Sequence, residues 1–340
     1  MEPLIRVSDL EVHFPLTQGA LMQRAGGTVR AVDGVSFDIH RGETLGLVGE
    51  SGSGKSTIGR AMLGIDRPSG GSIHFDQVDI TRLSGRARKP FARRMQMIFQ
   101  DSYASVDPRM KVAEIVAEPL AIHGEGVRSE RRARVVELLD LVGLPERFAG
   151  AYPHQLSGGQ RQRVGIARAL ALRPDFIICD ESVSALDVSI QAQILNLLLD
   201  LQQRFGLTYL FIGHDIAVIR YMARRILVMY RGRLMELGES EALVAAPLHP
   251  YTKALMASVP LPDPPGERRR RAVQADQIAL APAATGATTA ITGCPFAPRC
   301  PRVAEAWAQK GMDCHTRRPP LAQAAPGRAV ACHLYDGTAA

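Results

Sequence analysis

Long apolar runs are missing from this sequence. No stretch of about 18 uncharged apolar residues occurs, so no membrane-spanning helix is expected. The opening residues MEPLIRVSDL have neither a basic flank nor an apolar core. They do not read as a secretory signal, and the chain is expected to stay in the cytoplasm. Aromatic residues make up only 5%, with one tryptophan, and none interleave with basic residues as single-strand binders require. Nucleic acid is therefore not an expected partner. Before residue 290 cysteine is limited to Cys179, and the other four fall in the last 50 residues. A reducing cytoplasm argues against structural disulfides. Cys179 lies inside an apolar run and reads as a small core residue.

What is present suffices for a substantial core. Hydrophobic residues are 46% of 340, enough for one large domain and a smaller appendage. The formal charge of +7 suits anionic partners such as nucleotides or lipid head groups. Part of it is one run, Arg268 to Arg271, which reads either as a solvated linker or as a contact for anionic lipid.

The apolar pattern alternates between two periods. Val35 to Ile39, Thr44 to Val48, Met95 to Phe99, Phe176 to Cys179 and Tyr209 to Ile212 have buried-strand length, while Lys55 to Leu63 and Gln191 to Phe205 read as helices. This predicts an α/β fold with a largely parallel sheet. Ile226 to Tyr230 and Leu234 to Leu237, separated by Arg231-Gly232-Arg233, suggest a hairpin. Helical patterns at Ala113 to Ile122, Glu130 to Leu141 and Gly158 to Leu172 suggest a helical subdomain inserted at about 101–172. Residues 258 to 292 read as an irregular connection, with low complexity from Ala281 to Thr292.

Residues 49–57 are Gly49-Glu50-Ser51-Gly52-Ser53-Gly54-Lys55-Ser56-Thr57, a full match to G-x-x-x-x-G-K-[ST] between a predicted strand and a predicted helix. Glycines let the backbone curl so that successive N–H groups face phosphate oxygens. The helix N-terminus adds positive potential there. Lys55 would neutralise the β- and γ-phosphates and Ser56 would ligate Mg²⁺. Asp180, at the tip of the apolar run 176–179, is the expected partner carboxylate beside the metal, and Glu181 could polarise the attacking water.

Leu156-Ser157-Gly158-Gly159-Gln160 resembles the signature of the ATP-binding cassette family. Other elements of that family follow in order. Gln100 resembles the Q-loop glutamine, which in the family also faces Mg²⁺, Ser184-Ala185-Leu186-Asp187 the D-loop, His214 the switch histidine, and Phe14 the aromatic that stacks on adenine. The resemblance covers about 4–245 and implies a P-loop cassette with a RecA-like core, an N-terminal antiparallel β part and the inserted helical subdomain. It implies that ATP is sandwiched between the phosphate loop of one subunit and the serine-led signature of another. Closure would then pass to membrane subunits. Pro247 to Thr252, Gly293 to Pro301 and Val330 to His333 resemble the C-terminal region of oligopeptide and dipeptide importer ATPases. By that resemblance 1–245 is the cassette and 246–340 an extension. A second homologous ATPase, two permeases and an external binding protein are implied as partners, at the inner face of the membrane. Nickel, glutathione and other solutes stay open as cargo, as does a non-transport cassette acting on nucleic acid or ribosomes.

Cys294, Cys300, Cys314 and Cys332 form C-x5-C-x13-C-x17-C. Four thiols in a compact cytosolic tail suggest a metal site, and spacing alone leaves zinc and iron–sulfur open. The family resemblance favours a [4Fe-4S] cluster over Zn²⁺.

Overall fold

The computed structural model describes residues 2–18, 24–100, 106–184, 186–257 and 292–335. The arginine run Arg268 to Arg271, nearly all of the low-complexity stretch, residues 101–105 after Gln100, and Ala185 lie outside the described residues. Two compact units emerge. Met1–Ile5, Asp38–Thr44 and Phe75–Ile212 make up one, and Arg6–Phe37, Leu45–His74 and Gly213–Ala340 the other.

In the first unit, Met95–Ile98 pairs in parallel with Phe176–Asp180, with Ile98 opposite Cys179. Phe176–Asp180 pairs in parallel with Thr208–Gly213, with Asp180 opposite Ile212. All five residues of Phe176–Asp180 are buried, as a parallel strand covered on both faces requires. Three helices of this unit, Val112–His123, Arg128–Leu141 and Gly158–Leu170, pack on one another in the stretch where the sequence predicts helices. The leucine-rich helix runs Val188–Phe205 and buries Ile194, Leu195, Leu198 and Leu201, one stripe at helical spacing. It stops at Gly206, whose φ of 64° is the left-handed cap that glycine favours.

One helix in this unit, Gly85–Arg94, had no signal in the sequence. It buries none of its residues and carries Pro90 internally, so it lacks the apolar periodicity from which helices are read.

In the second unit, the fully buried strand Thr44–Val48 pairs in parallel with Arg225–Tyr230. The expected hairpin follows. Arg225–Tyr230 runs antiparallel to Arg233–Glu239, and Arg231 and Gly232 turn with φ of 44° and 81°, the two positive values of a tight hairpin turn. The C-terminal tail then extends this sheet. Arg328–Val330 pairs antiparallel with Arg233–Glu239, placing Val330 opposite Glu236, and Ala322–Ala325 pairs with Arg328–Val330. Alanine-rich Ala322–Ala325 has little intrinsic β preference. It forms on Arg328–Val330, which itself joins the edge of the hairpin, where backbone groups are otherwise unpaired. Ile5–Gln18 lies between Arg24–Ile39 and Gly70–Phe75 in a second sheet.

Candidate nucleotide site

The glycine-rich loop 49–54 bridges strand Thr44–Val48 and helix Lys55–Met62. Two of its glycines are obligatory for different reasons. A Cβ on Gly49 would lie 2.1 Å from the Met229 carbonyl oxygen, so the loop leaves its strand with no room for a side chain. Gly54 has φ of 104°, and a Cβ there would lie 2.1 Å from the Ala31 carbonyl oxygen. Ser53 N–H closes a turn onto Glu50 O at 3.1 Å, and Gly232 N–H donates to Ser53 O at 2.8 Å, tying loop to hairpin. Lys55 is only 4% exposed. Its Nζ donates to the carbonyls of Gly49 at 2.8 Å and Glu50 at 3.0 Å, so the ammonium is folded back against the loop. Ser51 and Gly52 are exposed at the loop tip, and Ser56 and Thr57 are half-buried on the first helical turn. Phe14, in the same unit, is 40% exposed, so its ring is not used up in the core and has a face to offer.

In the other unit, Asp180 ends its strand buried. Glu181 follows with φ of 44°, a left-handed conformation that a non-glycine residue adopts only when its surroundings hold it there. They do: Glu181 N–H donates to Ile212 O at 3.0 Å, and the Ser184 N–H and hydroxyl both donate to Glu181 O, at 3.1 and 2.9 Å. The carboxylate is thereby aimed, and the Gln100 side-chain amide donates to its Oε2 at 2.8 Å. The structure thus brings together Gln100 and Glu181, which are 81 residues apart in the chain.

The signature segment is a helix N-terminus held by a reciprocal capping box. Ser157 Oγ accepts from Gln160 N–H at 3.3 Å, and Gln160 Oε1 accepts from Ser157 N–H at 2.9 Å. Because Ser157 Oγ acts here as an acceptor, its hydroxyl hydrogen is not consumed by the cap. A Cβ on Gly159 would come 2.6 Å from Ile190 Cγ2, so the signature helix packs closely on helix Val188–Phe205. Asp187 stands at the N-cap of that longer helix. His214 follows strand Thr208–Gly213, and the next residue, Asp215, caps helix Ile216–Met222 by accepting from Ala217 N–H at 2.8 Å.

The four C-terminal cysteines converge. Cys294, Cys300, Cys314 and Cys332 line one small cavity together with His249 and His333. Burial pushes the Cys294 thiol up to about 12 and the Cys332 thiol up to about 11, and raises Cys300 and Cys314 as well. Such thiols stay protonated unless a cation stabilises the thiolate. Among the described residues, no group of three Cys, His, Asp or Glu side chains is gathered tightly enough to hold a metal ion as it stands. Four thiols are a donor set of the kind a thiophilic metal takes. Cys179 is fully buried in its strand, as expected, and burial drives its thiol upward.

Residues 32–184 match the ABC transporter family, and residues 235–306 match the oligopeptide/dipeptide transporter C-terminal region. The oligopeptide transport ATP-binding protein AppF of Bacillus subtilis is 48% identical over 336 residues, covering 98% of this chain and 98% of its own length. The chain belongs to the ATP-binding cassette transporter family. Like other members it is an ATPase that works with ATP and Mg²⁺. The dimeric post-hydrolysis structure of the ATP-binding cassette MJ0796, bound to ADP and Pi, superposes with a TM-score of 0.62 at 31% identity, covering 69% of this chain and 98% of that one. The cbiO1 subunit of Clostridium perfringens, part of the cbiONQ transporter complex, gives 0.63 at 26% identity, over 81% of this chain and all of that one. Among the described residues, no helix of this ABC ATPase is long and apolar enough to cross a membrane.

Proposed function

We propose that this chain energises an importer for oligopeptides or dipeptides. The observation that carries the reading is that one chain joins an ABC cassette to the oligopeptide/dipeptide C-terminal region and matches oligopeptide transport relatives along nearly its whole length. In this reading, 1–245 is the cassette with its helical insert and 246–340 is the extension with its His-Pro-Tyr segment and cysteine-rich tail. The protein sits peripherally on the inner face of the membrane, paired with a second homologous ATPase on two permeases and fed by an external binding protein.

The roles follow from the two half-sites. Gly49 to Thr57 cradle the nucleotide phosphates, with Lys55 against the β- and γ-phosphates and Phe14 against adenine. The residues that would hold Mg²⁺ are Ser56, Gln100 and Asp180, an all-oxygen set suited to a hard cation, which would neutralise phosphate charge. Glu181 orients the attacking water, Gln100 steadies Glu181, and His214 senses the γ-phosphate. Ser157, Gly158, Gly159 and Gln160 present a helix N-terminus and a free hydroxyl proton to the nucleotide of the facing subunit, with Asp187 beside that boundary. Binding of ATP favours the closed pair and hydrolysis releases it. Cys294, Cys300, Cys314 and Cys332 would hold a [4Fe-4S] cluster, with Zn²⁺ as the alternative; its role is to clamp a tail too small for its own core.

The test is reconstitution with its partner subunits in proteoliposomes. ATP-dependent uptake of labelled peptide is expected. ATP-dependent uptake of nickel or glutathione with no peptide uptake would replace the cargo. Iron and sulfide analysis of protein purified without oxygen tests the cluster, and zinc without iron would replace it.

A further inference from the structure

The phosphate loop is gripped from behind by the C-terminal region. Glu50 N–H donates to the Tyr251 hydroxyl at 3.0 Å, and Arg299 Nη1 reaches Glu50 Oε1 at 3.2 Å and Oε2 at 3.3 Å. We propose that Tyr251 and Arg299 are positioning residues for ATP binding, setting the orientation of the loop that presents Lys55 to the phosphates. The inference rests on the reading of Gly49 to Thr57 as the nucleotide site.

The geometry gives each contact a distinct task. The Glu50 N–H and the Gly49 C=O belong to one planar peptide group. Tyr251 holds the N–H end, and Lys55 Nζ is hydrogen-bonded to the C=O end at 2.8 Å. Fixing that plane therefore fixes where the ammonium rests. Arg299 acts on charge. A carboxylate inside a phosphate-binding loop repels the ligand's negative oxygens, and a guanidinium at contact distance cancels most of that field. The Arg299 side chain is 10% exposed and the Glu50 side chain 38%, so solvent screens the pair in part from the Glu50 side.

Both residues stand on a rigid support. Tyr230, Tyr251 and Phe296 are fully buried and pack in tilted and edge-to-face contacts, with ring centroids 4.5 to 5.5 Å apart. Arg299 also donates to the Tyr230 hydroxyl at 3.1 Å. Phe296 and Arg299 lie between Cys294 and Cys300, so the segment that carries two of the four cysteines also carries the grip on the loop. A second tie runs from the tail to the strand beside the loop: Arg318 approaches Asp33 at 3.6 Å, and Asp33 N–H donates to Gly232 O at 2.9 Å.

The test is MgATP affinity of the full-length chain by titration calorimetry. Tyr251→Phe keeps the ring and deletes only the hydroxyl, and should weaken MgATP by about threefold to tenfold with a fall of no more than about 4 °C in melting temperature. Arg299→Gln should weaken it by about tenfold or more. In a Glu50→Gln background, Arg299→Gln should add little, because the charge to be cancelled is gone; a purely structural Arg299 would show its full effect there as well. Lys55→Ala distinguishes the two levels of the reading. Wild-type affinity in Lys55→Ala would remove the nucleotide site itself. Loss of binding in Lys55→Ala alongside wild-type affinity in both Tyr251→Phe and Arg299→Gln would overturn the positioning role alone. Should Arg299→Gln fail to fold, Tyr251→Phe decides.

Discussion

Glu236→Ala should be among the most damaging single changes in the C-terminal half. Glu236 is 0% exposed on an interior strand. One of its oxygens accepts from Arg328 Nη2 at 2.7 Å and Leu248 N–H at 3.0 Å, and the other accepts from His249 N–H at 2.9 Å. It therefore ties three separate segments together: the hairpin, the entry to the His-Pro-Tyr helix, and the tail strand. Removing the carboxylate strands a guanidinium that is 13% exposed, together with two backbone donors. Breaking one side of such a buried pair costs about 3–5 kcal/mol, which for a chain of this size is a fall of roughly 4–7 °C in melting temperature. Thermal unfolding of the purified full-length chain reads it directly. The double change Glu236→Met with Arg328→Met should cost much less than the sum of the two single changes, since no charge is left buried without its partner. A loss of less than about 1 kcal/mol in Glu236→Ala, or full additivity in the double variant, would refute the account of how the tail is anchored.

Other expectations follow from single observations. Gly54→Ala places a methyl 2.1 Å from the Ala31 oxygen at a φ of 104°, so the loop must deform, and nucleotide binding should be lost by calorimetry with the fold retained by circular dichroism. Glu181→Gln should bind ATP yet cut hydrolysis by a factor of about 10² or more in a phosphate-release assay, as expected when a positioned general base is lost; near-normal turnover would remove Glu181 from that role. Asp33 sets an acid dependence. Burial raises its carboxyl, but the Arg233 hydrogen bond and charge, with Arg318 and Arg30, outweigh this and hold it below 3.8. Its contribution is thus complete above that ordinary value and lost as pH falls through the lowered one, so the wild type should lose more stability than Asp33→Asn between pH 5 and 2, read by denaturant titration.

The chemistry of the site was legible locally. Gly49 to Thr57 stand out because the whole G-x-x-x-x-G-K-[ST] pattern lies within one short segment, and the steric contacts at Gly49 and Gly54 show why glycine stands at those two places. Parallel strands such as Phe176–Asp180 were readable because burial on both faces demands a continuous apolar run. Helix Gly85–Arg94 was not readable, since an element that buries nothing leaves no periodic trace. The same holds for tail strand Ala322–Ala325, whose alanines take their conformation from the strand they join.

By itself, then, the sequence determined a set of local motifs: a glycine-rich loop ahead of Lys55, a carboxylate pair at a strand end, a serine-led helix start and four thiols at the tail. Tertiary structure alone decided which of these touch. The amide of Gln100 meets Glu181, Arg299 meets Glu50, and a tail that reads as an appendage lies against the hairpin and the loop. The physical reason is range. Turn and helix-start chemistry acts over a few neighbouring residues and is written in their order, whereas an ion pair between residues 249 positions apart exists only once both chain segments have been packed in place.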